Sequence, residues 1–341
     1  MVKISAITMI LLTAAILFGI YPFLDHPPIW LFENELPVVD AEATISVPLV
    51  IKIKTSDDEF TLVDATALHH RVSVPLKEDF KYEIYQGNRL IGKGNIVYPS
   101  KNLKEFTMLV FGDVRNDYKD VQGRIIEKGK GADFSLFLGD IAYYDFADED
   151  YRRFFNTLHK FGKIVFTVKG NHELPGVRYS MYFYPNYYSF RIGDYRFFVL
   201  NGDDPFNILK LRTKRLFGRF KDENTNKIAV IHEGVVDCGK YSDELGKGPS
   251  YELHKIFEEY GVKLVISSHD HNYQRLKFKN ITYIIVGGGG APLHNIKKDC
   301  KLLIVGKKAY SYVILKFTED SIILTAYDIE GNVIDNFTLS F

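Results

Sequence analysis

Five apolar runs of strand length in this chain each stop at a residue type that can bind a metal. Phe106–Phe111 leads through Gly112 to Asp113, and Phe134–Leu138 leads through Gly139 to Asp140. Ile164–Val168 runs on to Asn171 and His172, Lys227–Ile231 meets His232, and Val262–Ile266 leads through two serines to His269 and His271. Buried parallel strands read as unbroken apolar runs, and open α/β sheets gather their ligands outside the carboxyl ends of such strands. One such end is noise. Five in order predict an α/β domain whose strand ends converge on a polynuclear metal site. Two hard cations held close together need a carboxylate that reaches both, with nitrogen and oxygen ligands around the outside. Asp140 is positioned for the bridge, and Asp113, Asn171, His232, His269 and His271 supply the rest.

The remaining sequence divides into distinct stretches. Ile4–Leu24 carries no charge, and as a helix its 21 residues would span roughly 31 Å at about 1.5 Å each, near the hydrocarbon thickness of a bilayer. Lys3 precedes it while Asp25, Glu33 and Glu35 follow, a bias that keeps the N-terminus in the cytoplasm and sends the rest outward. Residues 1–26 are therefore expected to be a signal anchor in the cell membrane, the alternative being a cleaved signal peptide and a secreted protein. Residues 27–40, opening on Pro27-Pro28, read as a linker. Residues 41–101 show period-two, β-branched runs separated by turns, a small β-sandwich of fibronectin III-like type, and 102–341 form the catalytic domain. His69-His70-Arg71 reads as a solvated strand or turn, not a metal site. Two amphipathic helices stand out: Tyr151, Phe154, Phe155, Leu158 and Phe161 behind an N-cap at Asp148, and Leu253, Ile256, Phe257 and Tyr260 closed by Gly261.

Forty-three basic and 43 acidic residues cancel, which removes the electrostatic reason to expect a nucleic-acid partner. Two cysteines, Cys238 and Cys300, allow one disulfide at most and exclude a thiolate zinc site; a bridge and two free thiols both remain open.

The motifs run Gly-Asp, Gly-Asp-x-x-Tyr, Gly-Asn-His-Glu, an isolated His, then His-x-His-x-Tyr-x-Arg. In that order they resemble the calcineurin-like metallophosphoesterases, and most closely the purple acid phosphatases. Gly139–Asp145, Asn186–Phe190, His271–Arg275 and Tyr283–Gly287 add to the likeness, as does a small β domain ahead of the catalytic one. The resemblance implies an α/β fold, a layered β-sandwich flanked by helices, here preceded by a small all-β sandwich domain and an N-terminal transmembrane helix. It implies one metal on Asp113, Asp140, Tyr143 and His271 and another on Asp140, Asn171, His232 and His269. The pair would be iron with zinc, manganese or iron, or a manganese and zinc pair. A metal-bound hydroxide would attack the phosphorus of a phosphate ester, with His172 stabilising charge or protonating the leaving oxygen. Glu173 and Glu233 would support the ligands or sit in solvent.

Two features depart from that pattern. Arg115 stands two residues after Asp113, where the wider superfamily has a histidine; a guanidinium cannot ligate a metal, so it either contacts the substrate phosphate or neutralises a carboxylate. Ser267-Ser268 replaces the usual glycine before His269. The aromatic stretch Tyr179–Tyr188 either walls the substrate cleft or packs as a surface loop. The expected activity is hydrolysis of phosphomonoesters. The alternatives are a phosphodiesterase or nucleotide phosphohydrolase on the same metals, and a surface-binding protein that kept the fold without the reaction.

Overall fold

The apolar runs fold as the central strands of two sheets. A computed structural model describes residues 24–115, 117, 119–183, 185–239, 248–297 and 299–341. The N-terminal strands are β1 (Leu24–Glu33), β2 (Leu36–Lys54), β3 (Glu59–Ser73), β4 (Phe80–Gln86) and β5 (Arg89–Ile96). They are followed by β6 (Phe106–Phe111), α1 (Val121–Gly129), β7 (Phe134–Phe137), α2 (Asp148–Leu158), β8 (Ile164–Thr167) and α3 (Val177–Tyr182). Next come β9 (Tyr188–Ile192), β10 (Tyr195–Leu200), α4 (Phe206–Gly218), β11 (Asn226–Ile231), α5 (Gly248–Glu259) and β12 (Val262–Ser267). The chain ends with β13 (Tyr273–Phe278), β14 (Ile281–Val286), β15 (Leu303–Lys307), β16 (Ser311–Phe317), β17 (Ser321–Asp328) and β18 (Val333–Ser340).

The first sheet runs β18-β17-β16-β6-β7-β8-β1-β2-β4-β5, with β3 also on β2; the second runs β15-β13-β14-β12-β11-β10-β9. Parallel pairing is confined to the middle of each sheet, β6-β7-β8-β1 in one and β10-β11-β12-β14 in the other. Those strands are buried on both faces, which is why they read as continuous apolar runs. The sheets stack on a shared core that includes Val110, Leu136 and Phe166 from one and Phe197, Val230 and Ile266 from the other. Helices α1 and α2 cover the outer face of the first sheet through Ile125, Tyr151 and Phe154. Helices α4 and α5 cover the second through Phe217, Ile256 and Phe257. The sandwich is thus flanked by helices. Both expected helices form, although α2 starts at Asp148, one residue after an N-cap at Ala147. Tyr273 and Arg275, from the last motif, tie the sheets together: both donate to buried Asp335 on β18 (2.7 and 2.6 Å).

The segment expected as a linker, 27–40, is part of the sheet. β1 pairs in parallel with β8, Trp30 opposite Ile164 and Leu31 opposite Val165, and antiparallel with β2. Ile29, Trp30 and Leu31 are buried, so the short apolar run after Pro27-Pro28 has core to fill on both faces. The β unit that follows is hydrogen-bonded onto the same sheet rather than standing apart: Leu49, Ile51, Ile53 and Ile84 join the inter-sheet core. Of the expected anchor, residues 1–26, residues 1–23 lie outside the described residues, and Leu24 to His26 are the start of β1. Among the described residues no helix is long and apolar enough to cross a membrane. His69 and His70 meet carboxylates, Asp40 at 3.0 Å and Asp64 at 3.1 Å, and Arg71 pairs with Glu33 and Asp40.

Candidate metal centre

The five strand ends meet at one edge of the sandwich. Asp113, Asp140 and Asn171 follow β6, β7 and β8 of one sheet; His232, His269 and His271 follow β11 and β12 of the other. Three of these residues, Asp113 (φ 59°), Asp140 (φ 60°) and His269 (φ 66°), are left-handed, a region uncommon for side chains other than glycine. Such conformations cost about 1–3 kcal/mol each and persist where surrounding structure holds them. Here the holding contacts are visible. The Asp113 N–H donates to the Gly139 carbonyl at 2.9 Å, and the Val114 and Arg115 N–H groups donate to the Asp140 carbonyl, both at 3.1 Å. Gly170 is required at the next strand end, because a Cβ there would lie 2.4 Å from both the backbone nitrogen and Oδ1 of Asp140.

Two groups of ligand atoms result, and Asp140 belongs to both. Asp113, Asp140 and His271 each offer a ligand atom, all within 4.8 Å of one another and all buried. On the other side, Nε2 of His232 lies 3.3 Å from Oδ1 of Asp140 and 3.3 Å from Oδ1 of Asn171, which is 2.9 Å from Nδ1 of His269. Backbone carbonyls orient two of the imidazoles. His232 Nδ1 donates to Leu138 (2.7 Å) and His271 Nδ1 to Pro292 (2.6 Å), which leaves each Nε2 facing inward. Oδ1 of Asp113 is buried, makes no hydrogen bond among the described residues and faces Nε2 of His271 at 3.4 Å. A buried carboxylate oxygen without a hydrogen bond is costly, and a cation between it and the imidazole would satisfy both; the donor set fits hard or borderline metal ions.

The electrostatics follow from crowding. Burial opposes charge on His232, but Asp140 and Asp113 beside it push the imidazole up to about 10. His269 goes the other way, to about 4, through burial and the neighbouring His232. Burial would raise Asp113, yet His271, His232 and the Ser268 hydroxyl hold it well below the usual carboxylate range.

The remaining expected residues line the mouth. Arg115 Nε lies 3.2 Å from Oδ2 of Asp140, and its Nη2 lies 3.4 Å from Nε2 of His271, so in this structure it neutralises a carboxylate. His172 donates its backbone N–H to Oδ1 of Asp140 at 3.1 Å. Tyr143 differs from the buried ligands: its side chain is 54% exposed, with the ring between Arg115 and His172.

Buried side chains support these residues from behind. Glu173 is fully buried and accepts N–H groups of Asp140 (2.9 Å), Ile141 (2.6 Å) and Gly170 (2.8 Å), fixing the loop that carries the bridge. Burial and the Asp140 charge raise its pKa to about 7. The His294 ring stacks on His271 at 3.9 Å, and Lys169 pairs with Asp203 at 2.6 Å, both buried. No spacing marked His294 or Lys169, whereas the buried Glu173 takes the supporting role that its motif implied. Tyr179, Tyr182 and Phe183 pack into the core under α3, so the aromatic stretch is not a cleft wall there. Cys238 and Cys300 form a disulfide, Cα–Cα 5.7 Å.

The family model for calcineurin-like phosphoesterase matches residues 106–273, the span that carries all of these ligands. Residues 106–273 are a calcineurin-like phosphoesterase domain. Among solved structures, this chain is similar to a purple acid phosphatase, PPD1, from yellow lupin (Lupinus luteus) seeds. That match has a TM-score of 0.73 at 15% identity, covering 92% of this chain and 74% of the lupin chain. It is also similar to PhoD (TM-score 0.66, 10% identity, covering 93% of this chain and 92% of that one). GAP50, the anchor in the inner membrane complex of Plasmodium, is similar over 70% of this chain and 89% of its own (TM-score 0.55, 15% identity). At these identities the likeness is one of fold. No curated protein matches the sequence. The first two matches extend over the N-terminal β strands as well as the phosphoesterase domain.

Proposed function

We propose that the protein is a binuclear metal-dependent phosphatase that hydrolyses phosphate monoesters outside the cytoplasm. The observation that carries this reading is Asp140, a single carboxylate shared by two ligand groups at the meeting point of five strand ends. Asp113, Asp140, His271 and, by its motif, Tyr143 would hold one ion; Asp140, Asn171, His232 and His269 would hold the other. Ions bound there, iron with zinc, manganese or iron or a manganese and zinc pair, would supply activation of water near neutral pH and neutralisation of phosphoryl charge. The chain's own residues do the rest. The Leu138 and Pro292 carbonyls aim the imidazoles of His232 and His271, and Glu173 holds the Asp140 loop rigid against the pull of its charges. Arg115, at the mouth and only partly exposed, is placed to bind a phosphoryl oxygen once its contact with Asp140 is exchanged. His172 Nε2 faces the same space, 3.9 Å from Oδ2 of Asp140, where it can deliver a proton to the leaving alkoxide.

The disulfide supports an oxidising compartment, and with the uncharged stretch Ile4–Leu24 it favours a chain anchored in the cell membrane with its catalytic edge outside. The test is metal analysis of the purified protein together with rates on a chromogenic monoester and the matching diester. Two equivalents of metal and a clear monoester preference are expected. A metal-loaded protein that turns over neither would sink the reading.

A further inference from the structure

Six of the twelve large apolar or aromatic side chains that stand exposed among the described residues come from two short segments beside the metal centre. Tyr143, Tyr144 and Phe146 follow Asp140; Leu174, Val177 and Met181 follow Glu173 and continue into α3. These segments are neighbours. Oδ2 of Asp145 accepts the N–H groups of Val177 (2.7 Å) and Arg178 (3.1 Å), which clamps the first loop to the start of α3. Val177 and Met181, four residues apart on the helix, share a face. The patch begins at the reaction centre, since the Tyr143 ring centroid is 5.7 Å from that of His172 and 5.9 Å from the Arg115 guanidinium carbon.

Scattered exposed apolar residues need no explanation, but a contiguous patch marks a contact surface. We infer that this rim is the subsite for the organic group of the substrate, and that the preferred substrates are water-soluble phosphate monoesters of an aromatic or bulky apolar alcohol. The inference rests on the phosphatase reading and narrows it. Two observations select this occupant. The rim starts where a phosphate would be held, since the Tyr143 ring lies against both Arg115 and His172. Strand direction argues against a bilayer as the occupant. β1 is parallel to β8, so Leu24, six residues before Trp30, lies roughly 20 Å back towards the amino edge, whereas the rim lies at the carboxyl edge. A chain tethered through the residues before Leu24 holds the rim away from the membrane.

The test compares binding of 1-naphthylphosphonate with methylphosphonate by calorimetry, and hydrolysis of 1-naphthyl phosphate with glycerol 2-phosphate, using the full metal-loaded chain. The wild type should prefer the naphthyl compound by about tenfold or more, the discrimination an apolar contact of this size supplies. Val177→Ser/Met181→Ser and, from the other segment, Phe146→Ser should each cut that preference by about fivefold to tenfold, in binding and in the kcat/KM ratio alike. A wild type without the preference, or variants that leave it unmoved, would overturn the inference. A binding preference that the variants reduce, without turnover of either ester, supports the rim and removes the phosphatase reading instead. Binding to phosphatidylcholine vesicles that the variants abolish, with the naphthyl preference intact, makes the rim a membrane surface and overturns the inference.

Discussion

Nδ1 of His172 sits 2.6 Å from the backbone carbonyl of Tyr143, so that nitrogen carries a proton and the ring is fixed with Nε2 towards Asp140. A proton delivered from Nε2 matters most when the leaving group is a poor one. His172→Ala is therefore expected to lower kcat by about a hundredfold on an alkyl phosphate and by much less on 4-nitrophenyl phosphate, whose leaving group needs no proton. Steady-state rates on the two esters decide it; equal losses on both would assign His172 to charge stabilisation alone.

Arg115 has two partners to satisfy. In this structure it balances Asp140, and in a working site it would be released to the phosphate. Arg115→Ala should keep metal content near the wild-type level, because the variant loses a cation that competes with metal for the same carboxylate. The expected cost in kcat/KM is about 1.5–3 kcal/mol, the worth of a charged hydrogen bond. Metal loss in this variant would make Arg115 a structural counter-charge and nothing more.

Proton release should accompany metal uptake. His232, raised to about 10 by its carboxylate neighbours despite burial, is charged in the metal-free protein at pH 8; His269, at about 4, is not. Ligation requires the neutral ring, so calorimetry at pH 8 in buffers of different ionisation enthalpy should report release of at least about one proton. The sign for stability follows. The raised His232 contributes stability fully present below about pH 6.5 and gone above about pH 10, while the depressed His269 contributes stability that is lost as pH falls from about 6.5 to about 4. Metal-free protein should lose denaturant resistance between pH 7 and 10, and His232→Asn should flatten that slope.

Tyr143 stands at the rim rather than among the buried ligands. A phenolate with a free pKa near 10 stays deprotonated at neutral pH only on a strong Lewis acid such as ferric iron. Tyr143→Phe is expected to retain its metal. The visible spectrum of iron-loaded wild type and variant is the check: a charge-transfer band that the substitution removes would put the phenol on the metal.

Much of the centre was readable because each candidate ligand announces itself twice, as a polar residue and as the end of an apolar run. Asp113, Asp140, Asn171, His232, His269 and His271 all converge as that pattern predicts. Features set by the third dimension were not readable. Nothing in the spacing of His294 places it against His271, and nothing about Arg115 decides between its two expected roles, substrate phosphate or a carboxylate such as Asp140. β1 escaped because Pro27-Pro28 suggests a spacer, while its partner strand lies far along the chain. The aromatic stretch around Tyr182 carried no mark to distinguish core from cleft, since both want the same side chains.

The position of β1 between β8 and β2 has a consequence for how the molecule is made. Trp30 must wait for Ile164, 134 residues later, before the two strands can pair. Until then β1 to β5 have no parallel neighbour to dock on, and β8 without them presents a bare edge, the kind of surface that invites pairing with another chain. The N-terminal β unit is thus hydrogen-bonded along β1 into the sheet of the segment that follows it. A product begun at residue 102 would lack β1 to β5, five of the eleven strands of the first sheet, and would leave β8 as its edge. The first sheet closes late in synthesis, and both halves of the protein should melt in one transition.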